Sequence, residues 1–116
     1  MNNEEANRVI AEYMGAVFYD THDPSPILIL DGYEIPINGF NKYTKSLDTL
    51  VPVWEKARIS NVCQFDFNRI GNNYEFLIFQ DRPDKDYGNQ WYAKEPTLQQ
   101  AAAHATAKAI LELKNE

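Results

Sequence analysis

The sequence predicts an α+β domain, a small antiparallel sheet with helices packed on it, in the order helix, β-hairpin, helix, strands, helix. Three observations carry this. Apolar residues recur at helical spacing over residues 3–14 and again over 97–114. Asp31-Gly32 stands between two short apolar runs, and a two-residue hairpin turn of type I′ needs positive φ at both turn residues. Residues 62–67 and 74–80 both read as strands and are separated by a few turn residues, which forces antiparallel pairing.

Each element has its own reasons. Ala6, Val9, Ile10, Tyr13 and Met14 form the stripe of the first helix; Asn2 with Glu5 makes its capping pair, and Gly15 suits its end. Residues 16–19 are a short apolar run that reads as extended. Residues 20–26, with two prolines, form a loop. The hairpin follows, with Ile27-Leu28-Ile29-Leu30 as one strand and Tyr33-Glu34-Ile35-Pro36-Ile37 as the other; Pro36 donates no ladder hydrogen bond, so that strand lies at an edge or ends there. Residues 38–45 read as a loop. Leu47, Leu50, Val51, Trp54 and Ala57 mark a second helix that starts near Asp48 or Thr49 after a short preliminary turn, so that Pro52 falls in its first turn. Cys63, Phe65 and Phe67 alternate with Gln64 and Asp66, the pattern of a half-buried strand. Tyr74 to Gln80 is apolar on both faces, as in a central strand. After a polar loop, residues 90–93 make a short strand. Thr97 with Gln100 caps the last helix, in which Leu98, Ala102, Ala105, Ala109 and Leu113 track one face.

Composition narrows the function. The chain has 116 residues, and a single domain over 1–116 is expected. Seventeen acidic side chains against eleven basic ones give a net charge of −6, a poor match to a nucleic acid backbone. The acids are interleaved with Lys and Arg along the whole chain, so they do not form the rows a DNA mimic would present. No run of 18 apolar residues exists, so no membrane span is expected, and the acidic start predicts no secretory leader. One cysteine cannot pair internally, which fits a reducing cytoplasm.

Five aromatic residues lie in or beside loops: Phe40, Tyr43, Tyr87, Trp91 and Tyr92. Tyr and Trp in a surface patch anchor interfaces and stack on small ligands. The competing reading is that they close the ends of the core. Trp54 and Trp91 fit the core reading better; for Tyr43, Tyr87 and Phe40 the two stand level. The nine residues 81–89 exceed an ordinary connection and mix both charge signs with Tyr87. Asp20, His22 and Asp23 could hold a divalent ion or poise the imidazole as a base, but three neighbours on a loop do not make a ligand set. Cys63 shares a strand face with two phenylalanines and reads as core. His104, flanked by alanines, reads as a surface or boundary position.

Three segments together resemble small phage and prophage proteins with a phage ABA-sandwich domain. They are Tyr43 to Lys56, with its Tyr-Thr-Lys-Ser-Leu start and Val-Trp-Glu-Lys end, the aromatic strand Tyr74–Phe79, and the alanine-rich helix opening at Thr97. Glu4 to Gly15 is similar as well. The resemblance covers most of the chain and implies an α/β/α layering and a viral or prophage origin; it implies no catalytic residues. Residues 20–26 and 82–89 fall outside it.

The expected function is therefore a non-enzymatic accessory protein in the host cytoplasm that binds a host component or a small ligand, counter-defence being one such role. No cofactor is expected. The residues expected to carry binding are Tyr43, Arg82, Tyr87 and Trp91, which combine stacking surface with a charged anchor. Two alternatives stand beside it. One is a metal-dependent hydrolase around Asp20, His22 and Asp23. The other is a homo-oligomer paired through the hairpin edge at Ile35 and Ile37.

Overall fold

The computed structural model describes residues 1–19, 27–30, 32–36, 40–57, 63–80 and 89–114. It is an α+β domain with two small antiparallel sheets and helices packed against the second of them. Helix α1 spans Asn3–Tyr13 and is capped as expected, with Asn2 Oδ1 accepting from the Glu5 N–H at 2.8 Å. Strands β1 (Val17–Tyr19), β2 (Ile27–Leu30) and β3 (Tyr33–Pro36) form one antiparallel sheet, in that order. Leu30 pairs with Tyr33, which leaves a two-residue turn, and Gly32 takes φ +83°, a value L side chains rarely adopt.

A short helix, α2 (Lys42–Lys45), lies where the sequence predicts a loop. It is followed by a 3₁₀ turn over Leu47–Leu50 and by α3 (Val51–Lys56), which has Pro52 in its first turn. The preliminary turn and the late helix start are as expected, because proline has no N–H to leave unbonded there. Strands β4 (Cys63–Ile70), β5 (Asn73–Gln80) and β6 (Asn89–Glu95) form the second antiparallel sheet, with β5 central. Helix α4 (Leu98–Lys114) ends the described chain, and Thr97 Oγ1 accepts from the Gln100 N–H at 3.1 Å.

Register places Phe65, Ile78 and Trp91 side by side on one face of this sheet, with Phe67, Phe76 and Ala93 in the next row. Helix α4 packs on β5 and β6, and α1 and α2 pack on α4. The layers run sheet, α4, then α1 and α2, so the enclosed layer is a helix. Every residue from Ala101 to Ala107 is buried, about two full turns. The single stripe expected for this helix is thus widened to its whole circumference, the condition under which a helix carries few polar residues on any side. The methyl side chains of Ala101, Ala102, Ala103, Ala105, Ala107 and Ala109 let neighbours approach closely. Thr106, one of two buried polar residues in this stretch with His104, accepts from the indole N–H of Trp54 at 2.9 Å and donates to the Ala102 carbonyl at 2.7 Å.

Strand β4 differs from its expectation. Residues 64–70 are all exposed, Phe67 by 61%. The strand is alternating as expected but is not half-buried, because it lies at the sheet edge, where Trp54 of α3 meets Phe65. Trp54 of α3 lies 4.6 Å from the Phe65 ring, centre to centre, and stacks on Phe76 at 6.2 Å. The side chain of Cys63 lies outside the described residues.

Candidate functional site: a polar cleft between three helices

A cleft of about 410 Å³ lies between α1, α2 and the start of α4. Its size is within the range of small-ligand sites. Asn3, Glu4 and Asn7 line it from α1, Phe40, Asn41, Thr44 and Lys45 from α2 and the residues before it, and Gln100 from α4. Asn3 and Asn7 are four residues apart and Glu4 and Asn7 three, so one face of α1 presents all three.

Asn7 builds the floor and is almost wholly buried. Its Oδ1 accepts from the backbone N–H of Tyr43 at 2.8 Å and of Thr44 at 3.3 Å, and its Nδ2 donates to Thr44 Oγ1 at 2.9 Å and to the Asn3 carbonyl at 2.8 Å. These N–H groups belong to the first turn of α2, whose own N-cap, Asn41, makes no side-chain capping bond. Asn7 thus caps a helix 36 residues away in sequence. That explains why α2 escapes a local reading: its capping group is supplied by another element.

Asn3 ties the cleft to α4. Its Oδ1 lies 2.6 Å from His104 Nε2, and His104 Nδ1 lies 3.3 Å from Glu95 Oε1 at the end of β6. His104 is 2% exposed, so it is a core residue and not the surface or boundary position expected. Burial holds its pKa below the usual histidine value; the Glu95 carboxylate opposes that shift, Lys108 and the amino terminus add to it, and Glu5 opposes it.

One polar atom has no partner. Gln100 Oε1 is buried and accepts no hydrogen bond among the described residues. A buried acceptor left unpaired costs about 1–3 kcal/mol. Glu4 and Lys45 bring one charge of each sign to the same cleft and form no ion pair among the described residues.

Of the four residues expected to carry binding, Tyr43 and Trp91 lie among the described residues, and both are buried. Tyr43 is 2% exposed; its ring meets Phe40 edge-on at 6.1 Å and lies under the Lys42 ammonium at 5.5 Å. It supports the cleft from behind and presents no stacking face to it. Trp91 is buried in β6 across α4, and its indole N–H donates to Glu112 Oε2 at 2.5 Å. Both follow the core reading. Arg82 and Tyr87 lie outside the described residues, as do Asp20, His22 and Asp23. Among the described residues no group of three or more His, Cys, Asp or Glu could hold a metal ion. Asn7 was the available signal in the sequence: an asparagine inside a helix, next to Ala6 and within the apolar stripe, needs a partner for its amide. Gln100 and Lys45 carry no such signal.

No protein-family model matches this chain, and no curated protein matches it. No described helix is long and apolar enough to cross a membrane.

Proposed function

We propose that this chain is a non-enzymatic binding protein whose cleft between α1, α2 and α4 takes a small zwitterionic ligand, an α-amino acid or the end of a peptide. The observation that carries the reading is that one carboxylate, Glu4, and one ammonium, Lys45, line the same cleft and form no ion pair among the described residues. An ammonium group on the ligand is drawn to the Glu4 carboxylate. A carboxylate on the same ligand suits Lys45. The half-buried Phe40 ring favours an apolar or aromatic side chain between them. Asn7 and Thr44 spend their polar atoms on each other and on α2, so they shape the floor and leave recognition to the rim.

The phage ABA-sandwich resemblance would set this binding in a phage or prophage accessory protein acting in the host cytoplasm, where sequestering a small host molecule is one form of counter-defence. A host protein as partner is the other form of the same reading, and it rests on Arg82 and Tyr87.

The test is isothermal titration with L-phenylalanine, and with its N-acetyl and carboxamide derivatives, each of which removes one charge. Binding of the free amino acid is expected, with about a tenfold loss for each blocked derivative and for each of Glu4→Gln and Lys45→Gln. Both side chains are exposed, so the variants keep their fold. Absence of heat with the amino acid and with phenylalanine-containing dipeptides, or binding indifferent to both substitutions, overturns the proposal.

A further inference from the structure

The exposed edge of β4 is a second surface, independent of the cleft. Both edge strands of the β4–β5–β6 sheet have unpaired backbone on one side, but they are not alike. On β6 the Lys108 ammonium of α4 donates to the Tyr92 carbonyl at 2.7 Å. On β4 no described residue bonds the outer edge. The strand runs eight residues without proline, glycine or lysine, the usual devices that keep an edge from pairing. Its exposed side chains include Phe65, Phe67 and Ile70.

We propose that β4 pairs with β4 of a second copy of this chain, antiparallel about a two-fold axis through Phe67, joining two three-stranded sheets into one of six strands. The charge pattern of the strand selects the occupant and the register. A two-fold axis perpendicular to the sheet keeps each face continuous, so residues directly opposite must both be odd-numbered or both be even-numbered. With Phe67 on the axis, Phe67 meets its own copy. Phe65 then meets the partner's Arg69, and Arg69 meets the partner's Phe65, two cation–π pairs on the face that carries Phe76. On the opposite face Asp66 meets the partner's Asn68, an acceptor against an amide donor, and does so twice. Shifting the axis to Asp66 sets two carboxylates against each other. Shifting it to Asn68 sets Asp66 against the partner's Ile70. Arg69 already lies over an aromatic ring, Tyr74, at 6.0 Å, so its guanidinium stands on the face this register requires.

The expected oligomer thus forms through β4 and not through the hairpin edge at Ile35 and Ile37. The experiment is sedimentation velocity across a wide concentration range, combined with disulfide trapping. The unmodified chain is expected to move from one to two chain masses as concentration rises. Phe67→Lys puts two ammonium groups on the axis and is expected to leave a monomer at every concentration, with an unchanged circular dichroism spectrum because the side chain is exposed. Asn68→Lys gives Asp66 an ionic partner twice and is expected to tighten the dimer. With Cys63→Ser in place, F67C is expected to cross-link two chains under mild oxidation and D66C is not. An unmodified chain that stays monomeric, a dimer indifferent to Phe67→Lys, or cross-linking at 66 in preference to 67 overturns the proposal.

Discussion

Helix α4 and strand β4 are opposite cases of the same rule. The residues from Ala101 to Ala107 are buried on every side, although most of them carry a single methyl group. The residues from Gln64 to Ile70 are exposed, although three of them are Phe or Ile. Hydrophobicity alone would reverse this assignment. What decides is position in the assembly. A helix enclosed by a sheet on one side and two helices on the other must be thin, and alanine makes it thin at little cost in side-chain entropy. A strand with a ladder on one side only keeps even large rings in water. The sharpest way to break the comparison is to thicken α4. Ala105→Leu is expected to cost about 3 kcal/mol, the upper part of the overpacking range, read as a shift of the urea midpoint at constant slope. Stability within about 1 kcal/mol of the unmodified chain would mean that α4 is not enclosed.

This contrast also separates what the sequence shows from what it conceals. Element types were legible wherever the signal is local. The Asn2 and Thr97 caps, the Asp31-Gly32 turn and the placement of Pro52 all depend on residues a few positions apart, and the structure shows each element they announce. The β4–β5 turn was legible for the same reason, with Gly71 at φ +61°. Long-range facts were not. Helix α2 is capped by Asn7 of α1, so its own segment, rich in loop-forming residues, reads as a loop. Which layer is enclosed depends on how α1 and α2 fold back over α4, and an alanine-rich helix looks alike from either side. The candidate site was less legible still. Tyr43 and Trp91 stand out by residue type, yet both rings are buried in structural roles. Gln100 and Lys45 are ordinary helix residues that matter only because three helices converge on them.

His104 sharpens the comparison from within α4, because it is the one titratable group in the enclosed stretch. Its pKa is lowered in the folded chain, chiefly by burial, from an ordinary value of 6.5. The unfolded chain therefore takes up a proton that the folded chain resists, and folding stability falls as pH drops below about 6.5. The group that opposes this shift most is Glu95, at 3.3 Å from Nδ1, while Lys108 and the amino terminus reinforce it and Glu5 opposes it. His104→Gln keeps a neutral donor and acceptor in place and cannot charge. Urea titrations at pH 7.5 and at pH 5.5 are expected to show the unmodified chain losing more stability between the two than the variant. An equal loss in both would mean that His104 charges freely in the fold and that this side of α4 is open to water.

The smallest expected effect lies at the other end of the comparison. Phe67 shares a row with Phe76 and Ala93 and would be a core residue in a sheet covered to its edge. At 61% exposure it has little apolar contact to lose. Threonine, which is β-branched, shares phenylalanine's preference for extended backbone, so Phe67→Thr removes the ring without disturbing the strand. Measured at dilutions where the chain is monomeric, its stability is expected to stay within about 0.5 kcal/mol of the unmodified protein. Phe76→Thr, one strand inward in the same row, is the paired control: it exchanges a buried ring for a hydroxyl and is expected to cost about 3–5 kcal/mol. If the two substitutions cost the same, the edge of β4 is covered in solution and the distinction between the two regions fails. If they differ as expected, the ring at 67 contributes almost nothing to the folded monomer, and any function it has is exerted on another molecule.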